Sequence, residues 1–127
     1  MDVLEINVLV LAYLGDTVYE NYVRRFLIGK KISKVNELQN ESIKFVSAVN
    51  QASFIKKMID NSFFNEEELS VIRRARNYKS NSHPKNCDIV TYKYATALEA
   101  VIGYLTLKEE TLRVNEIMEF ILHENDV

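Results

Sequence analysis

The sequence has few of the residues that form turns, disulfides or metal sites. Of its 127 residues, three are glycine and one is proline, whereas average usage is roughly 7% and 5%. So few turn formers argue against a sandwich or barrel of many short strands. The single cysteine, Cys87, excludes an internal disulfide framework and a cysteine-rich zinc site. The two histidines, His83 and His123, have no partner at metal-ligand spacing.

Long apolar runs are also absent. The longest, from Ile6 to Gly15, is interrupted by Asn7 and followed by Asp16, so it is too short to span a bilayer. Asp2 and Glu5 stand where a signal peptide carries positive charge. We therefore expect a cytoplasmic protein with no membrane partner. Because 47% of this single-domain length is apolar, we expect one hydrophobic core.

Apolar residues recur at helical spacing and predict an all-α fold. The first helix is expected over about residues 3–28, with Gly29 as its end. Within it, Gly15 marks either a kink or a close crossing of two helices. A short helix from Ser33 and a longer one over residues 40–60 are expected to follow.

Capping residues predict the remaining helix boundaries. Asn65, with a glutamate three residues later, has the chemistry of a capping box. Residues 77–88 hold the lone proline and many serines and asparagines, so we expect a loop there. Asp88 is expected to cap the next helix and Thr111 the last one. Residues 89–92 suit a strand as well as a helix.

The net charge of −2 hides an uneven distribution. Residues 73–93 hold six basic residues and one acid, a net charge of +5, which leaves −7 on the rest of the chain. Phosphate or nucleic-acid binding is one interpretation of this basic segment, and a solvated loop without a ligand is the other. The basic and amide or hydroxyl side chains proposed as phosphate contacts are Arg73, Arg74, Arg76, Asn77, Lys79, Ser80, Lys85 and Asn86.

Carboxylates interrupt the two most apolar predicted helices. Asp16 and Glu20 lie four residues apart on one helical face, and Glu99 lies within the apolar stretch 96–105. Carboxylates on an apolar surface must be paired, hydrogen-bonded or metal-bound, and Mg²⁺ prefers such oxygen ligands. A metal site shared by Asp16 and Glu99 is one hypothesis. Alternatively, Asp16 caps a helix segment, Glu20 pairs with Arg24, and Glu99 pairs with a basic residue.

Four segments together resemble the catalytic domain of the ribonuclease III family, and more narrowly its Mini-III branch. The first is the signature 11–20, which contains Leu-Gly-Asp; the others, in family order, are 46–52, 73–88 and 92–105. The resemblance implies an all-α, ribonuclease III-like endonuclease domain that forms an intertwined homodimer. It also implies a single catalytic domain over residues 1–127, without a double-stranded RNA-binding domain.

The resemblance further implies a metal-dependent endoribonuclease that cleaves double-stranded RNA during maturation of large-subunit (23S) ribosomal RNA. Mg²⁺ is the implied cofactor, with Mn²⁺ as an alternative, and a ribosomal protein is an implied partner. Asp16 matches the signature aspartate and Glu99 the essential glutamate, so both are expected to be catalytic and to bind the metal. Glu20 is a candidate for a further metal ligand or for a supporting role beside the ligands. Ala12 and Thr96 stand where the wider family has acids.

Two other classes of function remain open. One is a non-catalytic RNA-binding or ribosome-assembly factor that keeps the fold. The retained Asp16 and Glu99 argue against it, because acids facing phosphate do not help a binding protein. The other class is a helical interaction module that uses the tyrosine-rich first helix as a dimer surface. Affinity for RNA, with the basic segment as the contact surface, separates this module from the other two classes.

Overall fold

The computed structural model describes residues 2–79 and 83–124, and this part of the chain contains six α-helices and no strand. The helices are α1 (Val8–Gly29), α2 (Val35–Val46), α3 (Ala48–Asp60), α4 (Glu66–Arg76), α5 (Ile89–Leu107) and α6 (Thr111–Glu124). The predicted all-α fold is confirmed, and the strand alternative for residues 89–92 is wrong because these residues open α5. No helix in the described ranges is long and apolar enough to cross a membrane.

The first two predicted helix boundaries need correction. Residues Val3–Glu5 form a separate 3₁₀ turn, and α1 begins only at Val8, because the Asn7 side chain caps it by accepting from the Leu9 amide at 2.8 Å. The helix expected over 40–60 is broken at Ser47, whose backbone is extended.

Ser47 both ends α2 and starts α3. Its side chain accepts a hydrogen bond from the Asn50 amide at 3.3 Å, which is the geometry of an N-cap. The apolar periodicity continues across this break, so spacing alone does not reveal it. The expected boundary between a short helix from Ser33 and a longer one from residue 40 is wrong, because α2 is continuous from Val35 to Val46.

The predicted caps of the next two helices are confirmed. Asn65 accepts from the Glu68 amide at 2.8 Å, and the Glu68 carboxylate accepts from the Asn65 amide at 3.0 Å, which completes the capping box. Asp88 accepts from the Thr91 amide at 2.8 Å at the start of α5. Thr111 is itself the first residue of α6, so its predicted position outside the helix is wrong by one residue.

Helix α5 is the centre of the fold. Every residue from Ala95 to Leu105 is buried except Glu99, which is partly exposed. A helix that is apolar around its whole circumference needs neighbours on all sides. Helices α1, α3 and α4 supply most of that cover. Glu99 is therefore the one acidic residue in this buried stretch of α5, and it lies at the edge of the hydrophobic core.

Two glycines bring α1 and α5 into backbone contact. A Cβ atom at Gly15 would lie 1.7 Å from the carbonyl oxygen of Glu99, and one at Gly103 would lie 1.9 Å from that of Leu11. Any side chain at either position would push the helices apart. The predicted close crossing at Gly15 is thus confirmed, and it lies within one chain.

Candidate active site

The helix crossing brings together two carboxylates that are distant in the sequence. Asp16 follows Gly15 on α1, and Glu99 is the residue whose backbone Gly15 contacts. Their carboxyl groups are within hydrogen-bonding range of each other. The Asp16 side chain is exposed, whereas Glu99 is partly buried, so the pair lies where the core meets the surface.

The environment of Glu99 disfavours its ionised form. Burial, followed by the hydrogen bond with Asp16 and the negative charge of Asp16, raises the pKa of Glu99 to about 8. At neutral pH Glu99 is therefore mostly protonated. A divalent cation held by both side chains would favour their ionised forms. The donor chemistry of the pair suits a hard cation.

Two buried polar side chains next to Glu99 had no role assigned from the sequence. Gln51, which is 4% exposed on α3, donates its Nε2 to the Glu99 carboxylate at 3.5 Å. The fully buried Tyr19 donates its hydroxyl to the carbonyl of Phe45 at 2.5 Å. Burial and the charge of Glu99 raise the pKa of Tyr19 well above its usual value. The sequence feature that could have pointed to Gln51 is a polar amide side chain among the apolar residues that face the core on α3.

Glu20 lies near the pair but has a partner of its own. Its carboxylate is 3.2 Å from the guanidinium of Arg24 on the same helix, which is the ion pair considered as an alternative. Its negative charge nevertheless raises the pKa of Glu99 slightly. Ala12 and Thr96 are both buried. Within the described residues no three histidine, cysteine or acidic side chains cluster as a metal site, so the carboxylate pair stands without a third protein ligand of these types.

The residues of the basic segment lie in different environments. Six of them are exposed to solvent: Arg73, Arg76, Asn77, Lys79, Lys85 and Asn86. Ser80 lies outside the described residues. Arg74 is partly buried, and its Nη2 donates to the carbonyl of Ile6 at 3.0 Å. Its Nη1 is buried and finds no hydrogen-bond partner in the described part of the chain, so Arg74 is turned toward the protein and not toward solvent.

Comparisons with known proteins agree with this architecture. The Ribonuclease III domain family matches residues 9–110. Mini-ribonuclease 3 of Clostridium tetani is 45% identical over 96% of this chain and 80% of its own length. Mini-ribonuclease 3 of Streptococcus pneumoniae is 40% identical over 98% of this chain and 97% of its own. The crystal structure of a Fusobacterium nucleatum protein covers 94% of both chains with a TM-score of 0.83 and 29% identity.

The fold and the matched residues define the class: the chain belongs to the ribonuclease III family. Its relatives place it in the Mini-ribonuclease 3 branch, and it is an endoribonuclease. The predicted family, fold class and enzyme class are therefore confirmed. The catalytic role of Asp16 and Glu99, the metal, the RNA contacts and the homodimer stay predictions.

Proposed function

We propose that this endoribonuclease hydrolyses phosphodiester bonds of double-stranded RNA at the site formed by Asp16 and Glu99. The contact between these two carboxyl groups is the observation that carries the proposal. Two ionised carboxylates in contact repel each other, and a cation between them removes that repulsion. Mg²⁺ is commonly bound by one or two carboxylates plus waters and substrate phosphate oxygens, so a two-acid site is sufficient. Mn²⁺ accepts the same ligands.

A metal ion held by Asp16 and Glu99 would activate a water and stabilise the charge that develops on the phosphate. Asp16 presents its carboxylate at the surface, where an RNA strand has access. Glu99 is held by the helix crossing and by Gln51, so little reorganisation is needed when it binds the cation. Glu20 adds negative charge near the pair and favours cation binding without serving as a direct ligand.

The exposed part of the basic segment is the proposed RNA-binding surface. Its arginines and lysines neutralise phosphates, and its asparagines donate to phosphate oxygens and 2′-hydroxyl groups. Contacts of this kind read the shape of an RNA duplex and not its sequence. The residues proposed for this surface are Arg73, Arg76, Asn77, Lys79, Lys85 and Asn86, with Arg74 supporting the surface through its hydrogen bond to Ile6, which precedes α1. Ser80 of the same segment, outside the described residues, is proposed as a further contact.

Membership of the Mini-ribonuclease 3 branch supports a ribosomal RNA precursor as the substrate. We therefore place the activity in the cytoplasm, in maturation of large-subunit (23S) ribosomal RNA, with a ribosomal protein as an assisting partner. The proposed active form is a homodimer. Exposed apolar residues on α1 support it, because Val10 is 56% and Tyr13 83% exposed, and a second copy of the chain would cover them.

The test is cleavage of a duplex RNA by wild type, Asp16→Asn and Glu99→Gln, in Mg²⁺ and in a chelator. We expect activity only for wild type with the metal. Isothermal titration with Mg²⁺ should show binding to wild type that both variants lose. Asp60→Asn, a change of the same kind at an exposed carboxylate on α3, is the matched control and should keep full activity. Full cleavage by a folded Asp16→Asn variant would exclude this site.

A further inference from the structure

Two cations from different helices lie over the same aromatic ring. The Nζ of Lys56 on α3 is 4.7 Å from the centroid of the Tyr94 ring, and the guanidinium carbon of Arg76, at the end of α4, is 4.2 Å from it. Tyr94 lies on α5 and is partly buried, whereas Lys56 and Arg76 are exposed. Three helices thus meet at a basic cluster formed by Lys56, Arg76 and Tyr94.

The two cations of this cluster lie close to each other. Their distances to the ring place the two charges within about 9 Å, near the screening length of ~8 Å at physiological salt, so salt screens part of their repulsion and one anion can interact with both. Neither forms an ion pair with the described residues. Lys56 even has Asp60 four residues later on its own helix, a spacing that allows ion pairs, yet its ammonium lies over Tyr94. An anion would relieve this repulsion.

The basic cluster and the proposed catalytic pair both include contacts between α3 and α5. Helices α3 and α5 run antiparallel here, since Gln51 contacts Glu99 while Lys56, later on α3, contacts the earlier Tyr94 on α5. Tyr94 precedes Glu99 by five residues, which is about 7.5 Å along the axis of α5. Measured along the axis of a duplex, that distance corresponds to roughly two or three nucleotide steps of one strand.

We propose that Lys56, Arg76 and Tyr94 form a binding subsite for a backbone phosphate of the RNA a few nucleotides from the cleaved bond. This inference rests on the proposed function. Lys56 lies outside the basic segment. With Lys56 included, the proposed RNA-binding surface extends from α4 across α5 to α3. Tyr94 keeps both cations in place through cation–π contacts, so less side-chain freedom is lost on binding.

The experiment measures the affinity of a fluorescently labelled, blunt-ended RNA duplex by anisotropy over a range of salt concentrations. All proteins carry Glu99→Gln, so that cleavage does not interfere. Lys56→Ala should lower the affinity roughly three- to tenfold at physiological salt. It should also reduce the slope of log K against log[salt] by about 0.7 to 0.9, the value for one phosphate contact. Lys57→Ala, the same change one position later on α3, is the matched control and should leave both quantities unchanged.

Two more variants distinguish the effect of the positive charges on RNA affinity from the effect of their placement by the Tyr94 ring. Lys56→Arg keeps the charge and the cation–π contact, so it should retain the affinity. Tyr94→Leu keeps both charges but removes the ring, so the affinity should fall while the salt slope stays the same. The Glu99→Gln protein without further changes is the reference. If it binds the duplex and Lys56→Ala has the same affinity and salt slope as Lys57→Ala, the subsite is refuted and the proposed function stands. If the Glu99→Gln reference protein does not bind duplex RNA, both the proposed function and the subsite are refuted.

Discussion

The backbone of Gly15 touches the backbone of Glu99, the residue whose side chain forms half of the proposed active site. Gly15→Ala should therefore damage stability and activity together. Its Cβ would lie 1.7 Å from the Glu99 carbonyl oxygen, and backbone atoms cannot give way as a flexible side chain can. We expect a loss of stability of about 1–3 kcal/mol or more and loss of cleavage, measured by denaturant unfolding and by the duplex RNA assay.

Gly29→Ala is the control for this prediction. Apart from its own helix and chain neighbours, none of the described residues lies within 4 Å of a Cβ built there, at the last residue of α1. This substitution should be neutral or stabilising by up to about 1 kcal/mol, since it restricts the unfolded chain. Equal effects of the two substitutions would show that the close crossing is not what positions Asp16 beside Glu99.

The pH dependence of stability should report on Glu99. Because the folded state raises the pKa of Glu99 to about 8, protonated Glu99 stabilises the metal-free fold. This contribution is fully present below the unfolded pKa and is lost as the pH rises through 8. With a discount for partial exposure, we expect roughly 1–3 kcal/mol less stability at pH 9 than at pH 6 in a chelator.

Glu99→Gln should remove most of this pH dependence, because glutamine does not titrate. The measurement is the free energy of unfolding in denaturant at pH 6 and pH 9, for wild type and for Glu99→Gln. Added Mg²⁺ should stabilise wild type at pH 8 but not the variant, as expected for a ligand that binds only the folded state. The same pH dependence in both proteins would contradict the environment assigned to Glu99.

A buried ion pair ties α6 to the start of α4. Glu68 is 1% exposed and accepts from Nε and Nη2 of Arg113 at 2.8 and 2.9 Å. Arg113 also donates to the carbonyl of Phe63 at 2.7 Å. Arg113→Met would leave the Glu68 carboxylate buried without its counter-ion, and we expect a loss of about 3–5 kcal/mol in denaturant unfolding.

Arg24→Met provides the comparison, because the Arg24 side chain is 74% exposed and its pair with Glu20 lies at the surface. Exposed pairs contribute about 0–1 kcal/mol, so the effect should be small. A loss of similar size for the two substitutions would show that burial of Glu68 does not determine the strength of its pair.

The proposed homodimer can be tested at the exposed face of α1. Val10→Glu together with Tyr13→Glu would place charge in an apolar interface, so sedimentation at micromolar concentration should show a dimer for wild type and a monomer for the double variant. Leu112 on α6 is 80% exposed, and Leu112→Glu is the control, which should stay dimeric. A wild-type monomer would contradict the homodimer directly.

Local sequence signals predicted most of the helices. The Asn65 capping box and the Asp88 cap were predictable because each joins residues three positions apart. The start of α1 was predicted too early because Val3 and Leu4 continue its apolar spacing, whereas the Asn7 cap sets the boundary. The break at Ser47 was missed because neither glycine nor proline marks it.

The sequence by itself determined the family, the helical class and the two unusual acids in apolar helices. Only the tertiary structure decided that Asp16 and Glu99 meet, that Gln51 contacts Glu99, and that Arg74 turns inward. Capping and periodicity involve residues within about four positions of each other, so they can be recognised in the amino-acid sequence. Contacts between distant residues depend on how closely helices approach, and here that approach rests on glycines that allow two backbones to touch.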